Sequence, residues 1–76
     1  MLWADHIEIN PAVMLGKPVI RGTRIPVDLI LRKLGEGATG ADLLDAYPRL
    51  TKADIQATLL YAANVVSHET IVLQTA

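Results

Sequence analysis

The chain has 76 residues, 51% of them apolar, and its seven Lys and Arg against eight Asp and Glu give a formal net charge of −1. That length admits one domain, that apolar fraction excludes a disordered acidic or basic tail, and that charge argues against a non-specific polycation for nucleic acid. With no cysteine there is neither a disulfide framework nor a thiolate metal site, and a cytoplasmic protein is expected.

The opening Met1-Leu2-Trp3-Ala4-Asp5-His6 lacks the basic start and apolar core of a signal peptide. No apolar run approaches the roughly 20 residues of a membrane span. His6-Ile7-Glu8-Ile9 alternates polar and apolar residues, which predicts a half-buried strand stopped by Asn10-Pro11. Val19-Ile20, β-branched between turn residues, is its expected partner. Between Gly16 and Val27 the chain changes character. Pro18 and Pro26 hold the residues before them extended, Gly22 suits a tight turn at Arg21–Thr23, and Pro26 is expected at the first helical position.

From Val27 the period is helical. Val27, Ile30, Leu31 and Leu34 form one stripe, Asp28 and Arg32 stand as an i, i+4 pair, and Gly35 and Gly37 offer stops. Thr39-Gly40-Ala41-Asp42 reads as a capping box opening a short helix over Ala41–Tyr47, which Pro48 ends. Thr51-Lys52-Ala53-Asp54 repeats the signal and opens a long helix from about Lys52 to about His68. Its expected inward stripe is Ile55, Leu59, Ala62, Ala63 and Val66, widened by Leu60 and Val65. The tail Ile71-Val72-Leu73 is apolar and β-prone. The predicted fold is therefore α+β and mostly helical. A single domain spans 1–76, with a β-ribbon region over 1–25, a tri-helical region over 26–69 and a tail over 70–76.

Two helices joined by a turn of about four residues, with a third before them, have helix-turn-helix spacing. In that motif the start of the later helix enters the major groove, and here it offers Arg49, Thr51, Lys52, Gln56 and Thr58. Asp54 would repel phosphates there unless capping engages it. The residues alone leave open an ordinary tri-helical core with a solvated helix start. Arg21 and Arg24 bracket Gly22-Thr23 and, with Lys17, form a second candidate as phosphate clamps. The competing expectation is local pairing, above all Arg24 with Asp28 or Glu8, while Arg21 is open between the two roles.

Gly16-Lys17-Pro18 is no phosphate loop, because the upstream glycine is missing and proline follows the lysine. His6 and His68 are expected at the surface, and no metal or cofactor is expected. Asp42 and Asp45 share a helical face without a base or nucleophile beside them, so an enzyme is not expected. Trp3, Val65, Val66, Ile71, Val72 and Leu73 are candidates for docking onto a partner, the alternative being packing within the chain.

Gly16-Lys17-Pro18-Val19-Ile20-Arg21-Gly22-Thr23-Arg24-Ile25-Pro26-Val27 closely resembles the signature of the bacterial family catalogued as domain of unknown function 433. The resemblance continues through Leu34-Gly35-Glu36-Gly37 and Tyr47-Pro48-Arg49-Leu50-Thr51-Lys52-Ala53-Asp54-Ile55, then Ala57, Leu59, Tyr61 and Ala62. It implies a β-ribbon followed by a homeodomain-like tri-helical unit, similar to the DNA-binding part of VapB-type antitoxins. It further implies a PIN-like ribonuclease as the toxin to be neutralised, operator DNA as the second partner, and repression of the shared operon. A homodimer through the ribbon or the long third helix is expected to double the basic contacts of a weakly acidic protomer. The alternative is a protein-interaction module that never touches DNA.

Overall fold

A computed structural model describes residues 2–68. Strand β1 (Ile7–Glu8) pairs antiparallel with β2 (Val19–Ile20), and helices α1 (Val27–Gly35), α2 (Gly40–Ala46) and α3 (Lys52–His68) follow. The fold is α+β and mostly helical, as the sequence predicts. The register places Ile7 opposite Ile20 and Glu8 opposite Val19. Strand β2 spans the predicted Val19–Ile20, whereas β1 is shorter than the alternation suggests, since Ile9 is already exposed and the chain turns at Asn10, whose carbonyl accepts from Val13 N–H at 2.8 Å.

The segment between the strands contains a tight turn at Met14-Leu15-Gly16, all three at positive φ. Left-handed backbone is costly for a residue with a Cβ, so Met14 and Leu15 are strained there, and Leu15 is 97% exposed. After β2 the chain reverses at Gly22, whose φ of +82° suits glycine. Thr23 closes the turn, giving its N–H and hydroxyl to the Ile20 carbonyl while its Oγ1 accepts from Ile25 N–H at 3.0 Å. Pro26 then sits one position earlier than expected, as N-cap of α1 with ψ 141°.

Helix α1 buries Val27 and Ile30 and packs Leu31 and Leu34 against the same core, matching the predicted stripe. Its end is a Schellman arrangement around Gly37 (φ +106°): Gly37 N–H reaches the Leu34 carbonyl and Ala38 N–H the Lys33 carbonyl. Gly35 lies within the helix. The capping box of α2 is formed in both directions, Asp42 N–H to Thr39 Oγ1 at 3.0 Å and Thr39 N–H to Asp42 Oδ2 at 2.8 Å. Those bonds to Thr39, its backbone N–H first and its side chain second, hold the Asp42 carboxyl below its ordinary value of 3.8.

The core gathers Ile7 and Ile20 from the ribbon, Val27 and Ile30 from α1, Leu43 from α2, Leu50 from the turn and Ile55 from α3. One turn of 3-10 helix over Trp3–His6 closes the far side of α3, where the Trp3 ring meets Tyr61 edge-on at 5.4 Å. Arg21 pins that turn. Its Nε donates to the Asp5 carbonyl at 2.9 Å, and its Nη2 to the carbonyls of Ile7 (3.0 Å) and Ala4 (3.3 Å).

The predicted stripe of α3 is corrected. The buried side is Asp54, Ile55, Ala57 and Thr58, continued by half-buried Tyr61 and Ala62. Leu59, Leu60, Ala63 and Val66 are exposed. The reason is that α3 carries apolar residues on two sides, so periodicity alone does not select the inner one.

Candidate nucleic-acid interface

The turn between α2 and α3 is anchored from below. Leu50 N–H bonds the Tyr47 carbonyl at 2.8 Å and the Leu50 side chain enters the core, which leaves Pro48 and Arg49 outside. At the start of α3, Thr51, Lys52 and Gln56 are exposed, whereas Thr58, also expected on this surface, is fully buried on the inner side of the helix. Lys52 and Gln56 edge a groove of about 400 Å³ whose walls are Gly40, Ala41, Leu44 and Ile55. Lys52 has no ion pair among the described residues.

Asp54, the carboxylate that would oppose phosphates, is withdrawn from this surface. It is 8% exposed, accepts from Thr51 N–H at 3.0 Å, and completes the second capping box through its own N–H to Thr51 Oγ1. Its other oxygen meets His6 Nδ1 at 2.9 Å. A carboxylate in that position fixes the proton on Nδ1, so His6 donates. His6, expected at the surface, is half-buried, and its ring is spent on joining the N-terminal turn to the cap of α3. A link across 48 residues of sequence leaves no local signal.

The second candidate, the Arg21–Arg24 corner, is rearranged. Arg21 is committed to backbone carbonyls. Arg24 pairs with neither Asp28 nor Glu8, and no hydrogen bond or ion pair of its side chain exists among the described residues. Asp28 instead meets Lys17 at 3.5 Å in an exposed pair of little energetic weight, in place of its predicted pairing with Arg32. Arg24 and Arg49 come together, with Glu8, Val13, Gly22 and Thr23, around a hollow of about 440 Å³. There Arg49 Nη2 donates to the Gly22 carbonyl at 2.8 Å, which steadies the guanidinium. The two groups of cations that the sequence presents as alternatives are thus neighbours, with Lys52 three positions beyond Arg49.

Of the candidates for partner docking, Trp3 is half-buried against Tyr61, and Val65 and Val66 are exposed. Ile71, Val72 and Leu73 lie outside the described residues. Leu59 and Leu60 join the exposed apolar set, which sequence reasoning placed inward. The signal available for them is the absence of any charged residue over 55–67. No helix among the described residues is long and apolar enough to cross a membrane.

Comparison with known proteins gives one family. The sequence model described as "protein of unknown function (DUF433)" matches residues 7–62. An uncharacterized protein, y4eO, of Sinorhizobium fredii is 34% identical over 58 residues, covering 76% of this chain but 26% of that protein. An uncharacterized protein of Archaeoglobus fulgidus is 54% identical over 28 residues, 37% of this chain and 78% of its own length. The crystal structure of a DUF433 member from Anabaena variabilis superposes with a TM-score of 0.77 at 37% identity, over 82% of this chain and 61% of that one. The chain thus spans about a quarter of the rhizobial relative and about three-fifths of the cyanobacterial structure.

Proposed function

This chain belongs to the DUF433 family, and from that premise we propose that it acts as an antitoxin-type DNA-binding protein, repressing its own operon and neutralising a PIN-like ribonuclease. The observation that carries the DNA part is the disposition of charge at the start of α3. Lys52, Gln56 and Arg49 are exposed beside the turn, while the one carboxylate of that helix start is buried and bonded to His6 and Thr51. Gln can read adenine, and Arg or Lys can reach guanine or phosphate. The hollow formed by Arg24 and Arg49 suits a backbone phosphate beside the groove contacts, with Glu8 limiting how many anions it admits. The toxin part rests on the resemblance to VapB-type antitoxins.

A second reading, a protein-interaction module without DNA binding, draws on the uncharged and partly exposed far half of α3. The test is binding of the purified chain to its own promoter DNA and to scrambled DNA across a salt series, beside Arg49→Ala and Lys52→Ala. Specific binding whose logarithm falls linearly with log salt, weakened in both variants, supports repression. Salt-insensitive binding to a co-purified ribonuclease, with no preference among DNAs, supports the module instead.

A further inference from the structure

Helix α1 is apolar on one side and charged on the other, the pattern of a surface helix. Helix α3 is different. Its inner side is the core, yet on the outer side Leu59 is 49% exposed, Leu60 46% and Val66 71%, with exposed Ala63 between them. At 100° per residue these four fall within a sector of about 120°. From Ile55 to Ser67 no residue is charged. All six residues from Ala63 to His68 are exposed, so α3 runs about 9 Å beyond the cover that the described residues give it. A helix apolar on both sides belongs in an interior, and one of its two sides is here left to another molecule.

We infer that a second copy of this chain seats antiparallel on the outer side of α3, across a two-fold axis at Ala63. An uncharged surface gives a charged partner nothing to pair with, but it meets its own copy without repulsion, as an isologous contact requires. Ala63 at the centre lets two helix axes approach to the usual 8–10 Å, and Leu59, Leu60 and Val66 fill the flanks. A standard interface of about 800 Å² per partner is under a sixth of the 5179 Å² surface, and α3 lays about 25 Å of helix along it. Antiparallel pairing opposes the helix dipoles and keeps the two Lys52 ends apart, whereas parallel pairing brings them together.

The pairing has a geometric consequence. Lys52 lies 11 residues before Ala63, so the two α3 starts stand about 33 Å apart. Successive turns of one face of B-DNA are roughly 34–36 Å apart. This spacing rests on the DNA reading proposed above. The dimer does not.

Sedimentation equilibrium of the full chain tests the dimer. The wild type is expected to be dimeric at about 100 μM, and Leu59→Glu/Val66→Glu to dimerise at least ~100-fold more weakly with unchanged helical circular dichroism, since both positions are exposed. A monomeric wild type, or a double variant still dimeric, overturns the inference. A wild type that is monomeric alone but complexes a different protein through these residues overturns it in favour of that partner. Because the chain has no cysteine, Ala63→Cys is expected to form a disulfide dimer on mild oxidation and exposed Asp45→Cys none. Failure of Ala63→Cys to cross-link refutes the antiparallel arrangement. An intact dimer that binds no DNA refutes repression alone, and a monomeric variant that binds operator as tightly as wild type refutes the spacing.

Discussion

Removal of the Asp54 carboxylate is expected to damage the fold far more than removal of its counterpart Asp42, although both close the same kind of capping box. Asp42 is exposed and serves Thr39 alone. Asp54 is 8% exposed and serves both Thr51 N–H and His6 Nδ1, at 3.0 and 2.9 Å. Loss of a cap costs about 1 kcal/mol, and loss of a hydrogen bond to a charged group costs about 1.5–3 kcal/mol. Asp54→Ala should therefore cost about 3 kcal/mol. A domain of this size has only about 4–11 kcal/mol in total, so the midpoint in urea should fall by about a quarter or more. Urea melts followed by circular dichroism give the numbers. A His6→Ala/Asp54→Ala double-mutant cycle isolates the link itself, expected at about 1–2 kcal/mol. Equal losses for Asp54→Ala and Asp42→Ala, or a coupling near zero, would refute the reasoning, because the His6 bond would then contribute nothing beyond the cap.

Arg21→Ala, which frees the carbonyls of Ala4, Asp5 and Ile7, should destabilise by about 1–2 kcal/mol. It should also shift emission of the single tryptophan, Trp3, to longer wavelength as its turn leaves Tyr61. Thr58 is fully buried with a hydroxyl that meets no partner among the described residues, so Thr58→Val should raise stability by about 1 kcal/mol, or ~4–8 °C in Tm. Leu15→Asn should relieve the left-handed strain at φ 56° and gain about 1 kcal/mol in the same urea melts. The lowered Asp42 carboxyl contributes stability that is complete above the ordinary aspartate value of 3.8 and lost as pH falls through its folded-state value. Thermal melts from pH 5 to pH 2 should accordingly show a shallower acid decline for Asp42→Asn than for wild type.

What the sequence made legible is what short-range chemistry decides. Both capping boxes, the turn at Gly22 and the helix stop at Gly37 formed where their residue types require them, since each is settled within about six residues. The α1 stripe was readable because its other side is charged. The α3 stripe was not, because Leu59, Ala63 and Val66 have the same claim on the core as Ala57, Thr58 and Tyr61 until the ribbon and α1 choose between the two sides. The choice between Arg21 and Arg24 was likewise tertiary. Only the N-terminal segment, which brings three carbonyls to Arg21, decides which guanidinium is spent and which stays unpaired among the described residues.

That division of labour bears on how a protomer with net charge −1 could hold DNA at all. Burial of Asp54, the cap at Asp42 and the Lys17–Asp28 pair each occupy a carboxylate, while Arg24, Arg49 and Lys52 keep their positive charges unneutralised by any ion pair among the described residues. Three phosphate contacts would give a salt slope of about −2.7, and an antiparallel dimer engaging both ends would give about −5.4. The slope therefore reads the stoichiometry of cations at the DNA, independently of affinity. If Leu59→Glu/Val66→Glu halves it while Arg24→Ala lowers it by about one per protomer engaged, the α3 pairing and the arginine hollow act in one complex. If the slope is unmoved by both, the phosphates are held elsewhere, and Arg49 serves only to fasten the ribbon turn to the turn before α3 through the Gly22 carbonyl.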